Sequence, residues 1–289
     1  MSERCDGCSG ECGVGEPRPD ESEQQREMRR RIMERLRNIR HKVVVLSGKG
    51  GVGKSTVAVN LAVALAREHR VGLMDVDIHG PNVPKMLGIE GQTLGVEKES
   101  IIPFQWRDNL KVMSIAFLLQ GRDSAVIWRG PLKMIAIRQF ITDVEWGKLD
   151  WLVIDAPPGT GDEPLSVLQL IEDLDGCIIV TTPQEVSLLD VAKCVTFCEK
   201  VGRRILGLVE NMTHLVCPHC GKKVDLYPSG GVGRFAEQRG LEVLGSVPFE
   251  PQIARLSDEG KPVVVAAPES DTAKAFLALA DKVCALLEE

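Results

Sequence analysis

Val43-Val44-Val45-Leu46-Ser47-Gly48-Lys49-Gly50-Gly51-Val52-Gly53-Lys54-Ser55-Thr56 decides the fold. Its apolar start has the length of a strand buried on both faces, and it runs straight into glycines. Residues 48–55 then keep the spacing G-x-x-x-x-G-K-[ST]. Val57, Leu61 and Leu65 follow four apart with Ala58 and Ala62 beside them, which is helical spacing. A strand, a glycine loop and a helix in that order direct backbone N–H groups and a helix N-terminus at phosphate oxygens. Gly48, Gly50, Gly51 and Gly53 let the loop, with Lys49 and Val52 between them, wrap closely. Lys54 would reach the β- and γ-phosphates of a nucleoside triphosphate, and Ser55, followed by Thr56, would offer its hydroxyl to Mg²⁺.

Working outward, the pattern alternates between strand and helix. Strands are predicted at 71–74, 110–115, 151–154, 177–180, 205–209 and 243–244, and helices near 131–143, 163–172, 187–201, 233–239 and 271–287. This implies a single doubly wound α/β domain, a mostly parallel sheet flanked by helices and joined by right-handed crossovers. The domain is expected over 41–289. Before it, 21–40 interleaves Arg with Glu around Met28, Ile32, Leu36 and Ile39 and reads as a charged surface helix. Residues 1–20 are rich in Cys, Gly, Glu and Pro without periodicity and read as a flexible tail.

Two acidic groups leave predicted strands at the end where such sheets bind ligands. Asp155 follows Trp151-Leu152-Val153-Ile154, and Asp75 and Asp77 follow 71–74. Asp155 suits Mg²⁺, directly or through water. Asp75 or Asp77 suits a water attacking the γ-phosphate.

The 289 residues carry 35 Lys+Arg against 41 Asp+Glu, a formal net charge of −6, with 44% hydrophobic and 26% charged residues. That is the composition of a soluble globular protein and speaks against nucleic acid as a main partner. No apolar stretch approaches the ~20 residues of a membrane span. The N-terminus lacks the apolar core of a secretory signal, so a reducing cytoplasm is expected. Collagen, membrane channels and secreted disulfide scaffolds are excluded.

Nine cysteines remain to be placed. Cys217-Pro218-His219-Cys220 is a C-x-x-C knuckle of the kind that presents two sulfurs to one centre. Two thiolates make half of a four-ligand site, and a two-fold dimer would supply the other half. Four thiolates suit zinc or an iron–sulfur cluster, and two alone suit a redox dithiol. Cys5, Cys8 and Cys12 either hold a second cluster with a fourth ligand from elsewhere or capture metal transiently. Cys177, Cys194, Cys198 and Cys284 fall in strand and helix patterns and read as small core residues.

The second lysine in Lys49-Gly-Gly-Val-Gly-Lys-Ser-Thr56 resembles the deviant phosphate loop of the MinD/ParA/nitrogenase-iron-protein group. Asp75-Val-Asp-Ile-His-Gly-Pro-Asn82, Trp128-Arg-Gly-Pro-Leu132, Asp155-Ala-Pro-Pro-Gly-Thr-Gly-Asp162, Val209-Glu-Asn-Met212 and Cys217-Pro-His-Cys220 narrow the likeness to Mrp/ApbC-type P-loop ATPases, carriers of iron–sulfur clusters. The resemblance implies slow ATP hydrolysis by a homodimer, with [4Fe–4S] clusters passed to apo iron–sulfur proteins. It implies that Lys49 contacts phosphates across the dimer, that Asp77 handles the attacking water and that Asp155 lies near Mg²⁺. It also implies that Asn211 reads adenine and that Cys217 and Cys220 bridge a [4Fe–4S] cluster. Two other readings are kept. A zinc-stapled dimeric ATPase switch shares every motif. A MinD/ParA-like positioning ATPase would want a basic membrane helix or a DNA-binding patch, but the chain ends Leu286-Leu287-Glu288-Glu289 and Arg29-Arg30-Arg31 is thin.

Overall fold

Strand β1 (Ile39–Ser47) divides the interior in two. Val43 and Val45 enter one apolar cluster, while Val44 and Leu46 enter another on the opposite face. Such period-two alternation with both sides buried requires a helical layer on each face. The computed structural model describes residues 22–97, 100–118, 130–217, 219–227 and 230–288, and no side chain at 96, 97, 130–134 or 136. The tail with Cys5, Cys8 and Cys12 lies outside the described residues, as does the Trp128-Arg129 pair.

Helix α1 (Glu23–Leu36) precedes β1, and α2 (Lys54–Leu65), β2 (Val71–Asp75), α3 (Val83–Met86), β3 (Gly95–Glu97) and β4 (Ser100–Ile102) follow it. Next come β5 (Phe104–Arg107), β6 (Leu110–Ser114), α4 (Gly130–Asp143), β7 (Leu149–Asp155), α5 (Asp162–Leu170), β8 (Gly176–Thr181) and α6 (Glu185–Val201). The chain closes with β9 (Ile205–Val216), β10 (Lys223–Asp225), α7 (Gly231–Arg239), β11 (Val243–Phe249), α8 (Pro251–Asp258), α9 (Val263–Ala266) and α10 (Asp271–Glu288). The main sheet runs β10-β9-β8-β1-β7-β2-β6-β5, with β11 also on β9. Its central pairs are parallel, as expected, and only β5 and β10 join antiparallel.

Residues of α2, α9 and α10 fill the cluster on one face, and residues of α1, α4, α5, α6 and α7 the other. Trp146, Trp151, Phe140 and Phe276 are among its largest fully buried side chains. Among the described residues no helix is long and apolar enough to cross a membrane.

The helix expected over 21–40 stops at Leu36. Ser22 opens α1 with a reciprocal cap, accepting from Gln25 N at 3.3 Å while its own N–H donates to Gln25 Oε1 at 2.9 Å. Ile39, part of the same apolar stripe, instead opens β1 opposite Leu149, because strand pairing captures its backbone. The 205–209 and 243–244 strands are also longer than expected, for reasons that bear on function below.

Candidate functional site

β1 ends at Ser47, and the glycine loop turns the chain into α2. Gly53 stands before α2 at φ 83°, a left-handed conformation that suits glycine, and no side chain caps the helix. The first N–H groups of α2 are therefore left for an anion, reinforced by the helix dipole. Gly48 has no room for a side chain, since a Cβ there would lie 2.2 Å from the Asp190 carbonyl oxygen of α6.

Lys54 is buried and donates its Nζ to Asp155 Oδ1, with Asp77 Oδ2 3.7 Å away and Ser55 Oγ at 3.4 Å. The topology makes this meeting inevitable. Asp155 ends β7 beside β1, and Asp75 ends β2 in register with it. Asp155 is fully buried and its Oδ2 has no partner. Burial raises its pKa, opposed by the Lys54 charge and hydrogen bond.

Asp75 and Asp77 sit two residues apart but do different things. Asp75 is fully buried, accepts from Ser114 Oγ at 2.8 Å and from Asp77 N at 3.1 Å, and has no direct contact with Lys54 among those described. Burial first, then the Asp155 charge, pushes its pKa up to about 8. Asp77 is also buried, its Oδ1 accepting from His79 N at 3.1 Å and Gly80 N at 3.4 Å while its Oδ2 faces Lys54 Nζ at 3.7 Å. Of the two, Asp77 is the one that approaches Lys54, and Asp75 anchors its backbone. His79 Nε2 in turn lies 3.1 Å from both carboxylate oxygens of Glu163 on α5, bracing the Asp77 loop against the segment that follows Asp155.

Asn211 on β9 reaches the same loop. Its Nδ2 donates to Val52 O at 2.9 Å, and the side chain is buried. One amide N–H and the amide oxygen remain for a ligand. Ser55 lies beside the lysine, while Lys49 makes no ion pair among the described residues. Of the expected site residues, Lys54, Ser55, Asp77 and Asp155 thus meet around one loop, and Asn211, expected at the adenine, reaches that loop at Val52.

The thiols form a second centre at the end of β9. Cys217 closes a tight turn, its N–H donating to Lys222 O at 2.9 Å and its carbonyl accepting from Gly221 N at 2.8 Å. Backbone N–H groups of His219 and Cys220, and then the Cys220 thiol, lower the Cys217 pKa. N–H groups aimed at one sulfur favour a thiolate, the ligating form. Cys220 is exposed and Cys217 partly so. Among the described residues no third His, Cys, Asp or Glu joins them as a metal-holding group. His214 is instead occupied, its Nδ1 2.9 Å from Thr213 Oγ1. Cys177, Cys194 and Cys198 are buried together and Cys284 is partly buried, as their patterns implied.

Sequence reasoning missed Ser114 beneath Asp75, the brace from His79 to Glu163, and the Asn211 bond to Val52. All three are contacts between elements whose order in the sheet no local pattern reveals. A serine inside the predicted strand 110–115 was the one local signal.

Comparison with known proteins gives the family. A family model described as ParA, NUBPL iron-transfer P-loop NTPase, matches residues 38–284. The chain is similar to the iron-sulfur cluster carrier protein of Saccharolobus solfataricus, 46% identical over 286 residues, 95% of this chain and 97% of that one. The iron-sulfur cluster carrier protein of Methanocaldococcus jannaschii is 48% identical over 262 residues, 90% of each chain. A solved nucleotide-binding protein from Archaeoglobus fulgidus, in complex with ADP, is 39% identical with a TM-score of 0.74, over 86% of this chain and 96% of that one.

Proposed function

This chain belongs to the NUBPL-type iron-transfer P-loop NTPases of the ParA family, and from that premise we propose that it is an ATP-hydrolysing iron–sulfur cluster carrier. It assembles a [4Fe–4S] cluster between two copies of itself and hands it to apo-proteins in a reducing cytoplasm. The observation that carries this reading is the knuckle at Cys217 and Cys220. It offers two sulfurs, one already biased toward thiolate, at an exposed turn with no third ligand among the described residues. A half-site at the surface is completed by its symmetric copy, and a cargo held there can leave again.

At the nucleotide end, Lys54, which contacts Asp155, would reach the β- and γ-phosphates of ATP. The unpartnered Asp155 Oδ2 and the Ser55 hydroxyl fit a magnesium ion, whose role is to neutralise charge on the β- and γ-oxygens. Asp77, held by the His79 and Gly80 amides, orients the attacking water. Lys49 reaches the phosphates of the partner, and Asn211 offers its remaining amide groups to adenine. ATP would order these segments and tighten the dimer, and hydrolysis would loosen the bridged cargo.

The test is iron, labile sulfide and zinc per chain on anaerobically purified protein, compared with a Cys217→Ala/Cys220→Ala double variant. About two iron per chain, lost in the variant, is expected for a four-iron cluster shared by two chains. Zinc near half per chain, with no iron after reconstitution, would replace the carrier with a zinc-stapled switch. Iron that survives the double variant and disappears when residues 1–20 are deleted would assign a second cluster to Cys5, Cys8 and Cys12.

A further inference from the structure

β9 is one strand with two memberships. From 205 to 211 it pairs parallel with β8 and β11. From 214 to 216 it pairs antiparallel with β10 and delivers the chain to Cys217. Between these stretches stands Met212, with φ 59°, the one non-glycine residue in left-handed backbone among the described residues. That conformation costs an ordinary L-residue about 1–2 kcal/mol, and it persists only where the surroundings impose it. Pairing with β11 slips at the same point. Val247 faces Asn211 and Phe249 faces Leu215, so Met212, Thr213 and His214 stand against Pro248 alone. A bulge of this kind bends a strand and re-aims its side chains.

The phosphate loop is what the joint holds. A Cβ built on Gly53 would lie 2.1 Å from Asn211 Nδ2 and 3.5 Å from Met212 Cε. Two consecutive side chains therefore close on residues 52 and 53. A regular strand sends consecutive side chains to opposite faces. The left-handed turn is what brings both onto one loop, and it also sets the direction in which β9 runs on to its pairing with β10.

We propose that Met212 is a positioning residue coupling the two centres. Its backbone holds Asn211 on the phosphate loop and aims the hairpin that carries Cys217 and Cys220. A shift of residues 52 and 53 on nucleotide binding then reaches the thiols through a single joint, five residues of chain before Cys217. No separate relay through the sheet is required.

The test is the alkylation rate of Cys217 and Cys220 by iodoacetamide in reduced, metal-free, full-length protein, without nucleotide, with ADP and with a non-hydrolysable ATP analogue. Buried Cys177, Cys194 and Cys198 report folding by remaining unmodified. In the wild type nucleotide should change the rate by about fivefold or more, the usual scale of coupling between sites. Met212→Gly adopts this φ without strain and leaves the joint free to swivel. Compared with wild type at saturating nucleotide, it should lose most of the response. Met212→Leu, similar in bulk, should retain it.

A wild type whose thiols ignore nucleotide, or a Met212→Gly variant with the full response, would overturn the assignment. So would loss of the response in Met212→Leu with retention in Met212→Gly. Equal loss of nucleotide binding and response in Met212→Gly would reduce Met212 to a support of the loop. The readout needs neither cluster nor turnover, so its failure leaves the carrier reading intact, and the converse also holds.

Discussion

The two ends of β9 follow opposite rules. At Asn211 the strand meets a centre where Lys54, Asp75, Asp77 and Asp155 are all buried and brought together by strands from the middle of the sheet. Cys217 ends the other half on a short hairpin whose Val224 and Leu226 are exposed and whose second cysteine stands in solvent. The first centre is over-determined by packing, as electrostatic preorganisation requires. The second is accessible, as delivery of a cargo requires. One strand therefore carries a site that must stay fixed and a site that must open, and perturbations should separate them.

The largest separation is expected from Lys54→Ala. Removing the lysine that meets Asp155, and that is proposed to reach the phosphates, should lower ATP turnover by about a hundredfold or more, measured as phosphate release. Iron incorporation at Cys217 and Cys220 without nucleotide should be unchanged, and a parallel loss of both would break the contrast.

Gly53→Ala comes next. Its Cβ would meet Asn211 Nδ2 at 2.1 Å, and alanine is strained at φ 83°. A penalty above about 1.4 kcal/mol is expected, which calorimetry would read as more than tenfold weaker ADP binding.

Asp75→Asn tests the burial of charge. The folded chain keeps the Asp75 proton up to about pH 8, whereas the unfolded chain releases it in the ordinary carboxylate range. The folded pKa is raised, so the stability contributed by this proton is lost as pH climbs through that window and is gone above about 8. The variant should melt a few degrees above wild type at pH 8.5, at about 2–4 °C per kcal/mol. That advantage should vanish near pH 4.

His79→Gln should do least. The partly exposed pair with Glu163 is worth under about 1 kcal/mol, so turnover should change by less than about fivefold while ADP binding holds. A larger drop in turnover would give the brace a share in placing Asp77.

Much of this was legible in the chain before folding. The run 43–56 showed strand, loop and helix because each has its own period and the glycines mark the boundary. Asp155 was legible as the polar end of an apolar strand. The sequence did not reveal that β9 continues past Val209, because Glu210 and Asn211 break the apolar run that marked the strand. Their backbones stay in the sheet through pairing with β8 and β11, which no local pattern records. Ile39 was assigned to a helix for the same reason. β10 is three exposed residues, Lys223 to Asp225, held by β9 rather than by any core of their own. At the site, Asp75 and Asp77 were indistinguishable by spacing. What separates them is Ser114, which reaches Asp75 only because β6 lies beside β2.

The central claim is that the thiolate end is half a site. Native mass spectrometry of the anaerobically reconstituted protein tests it most directly. The account predicts two chains carrying one four-iron, four-sulfide cluster, falling apart to metal-free single chains in the Cys217→Ala/Cys220→Ala variant. A single chain holding a complete cluster, or a cluster-loaded dimer that persists in the double variant, would contradict it.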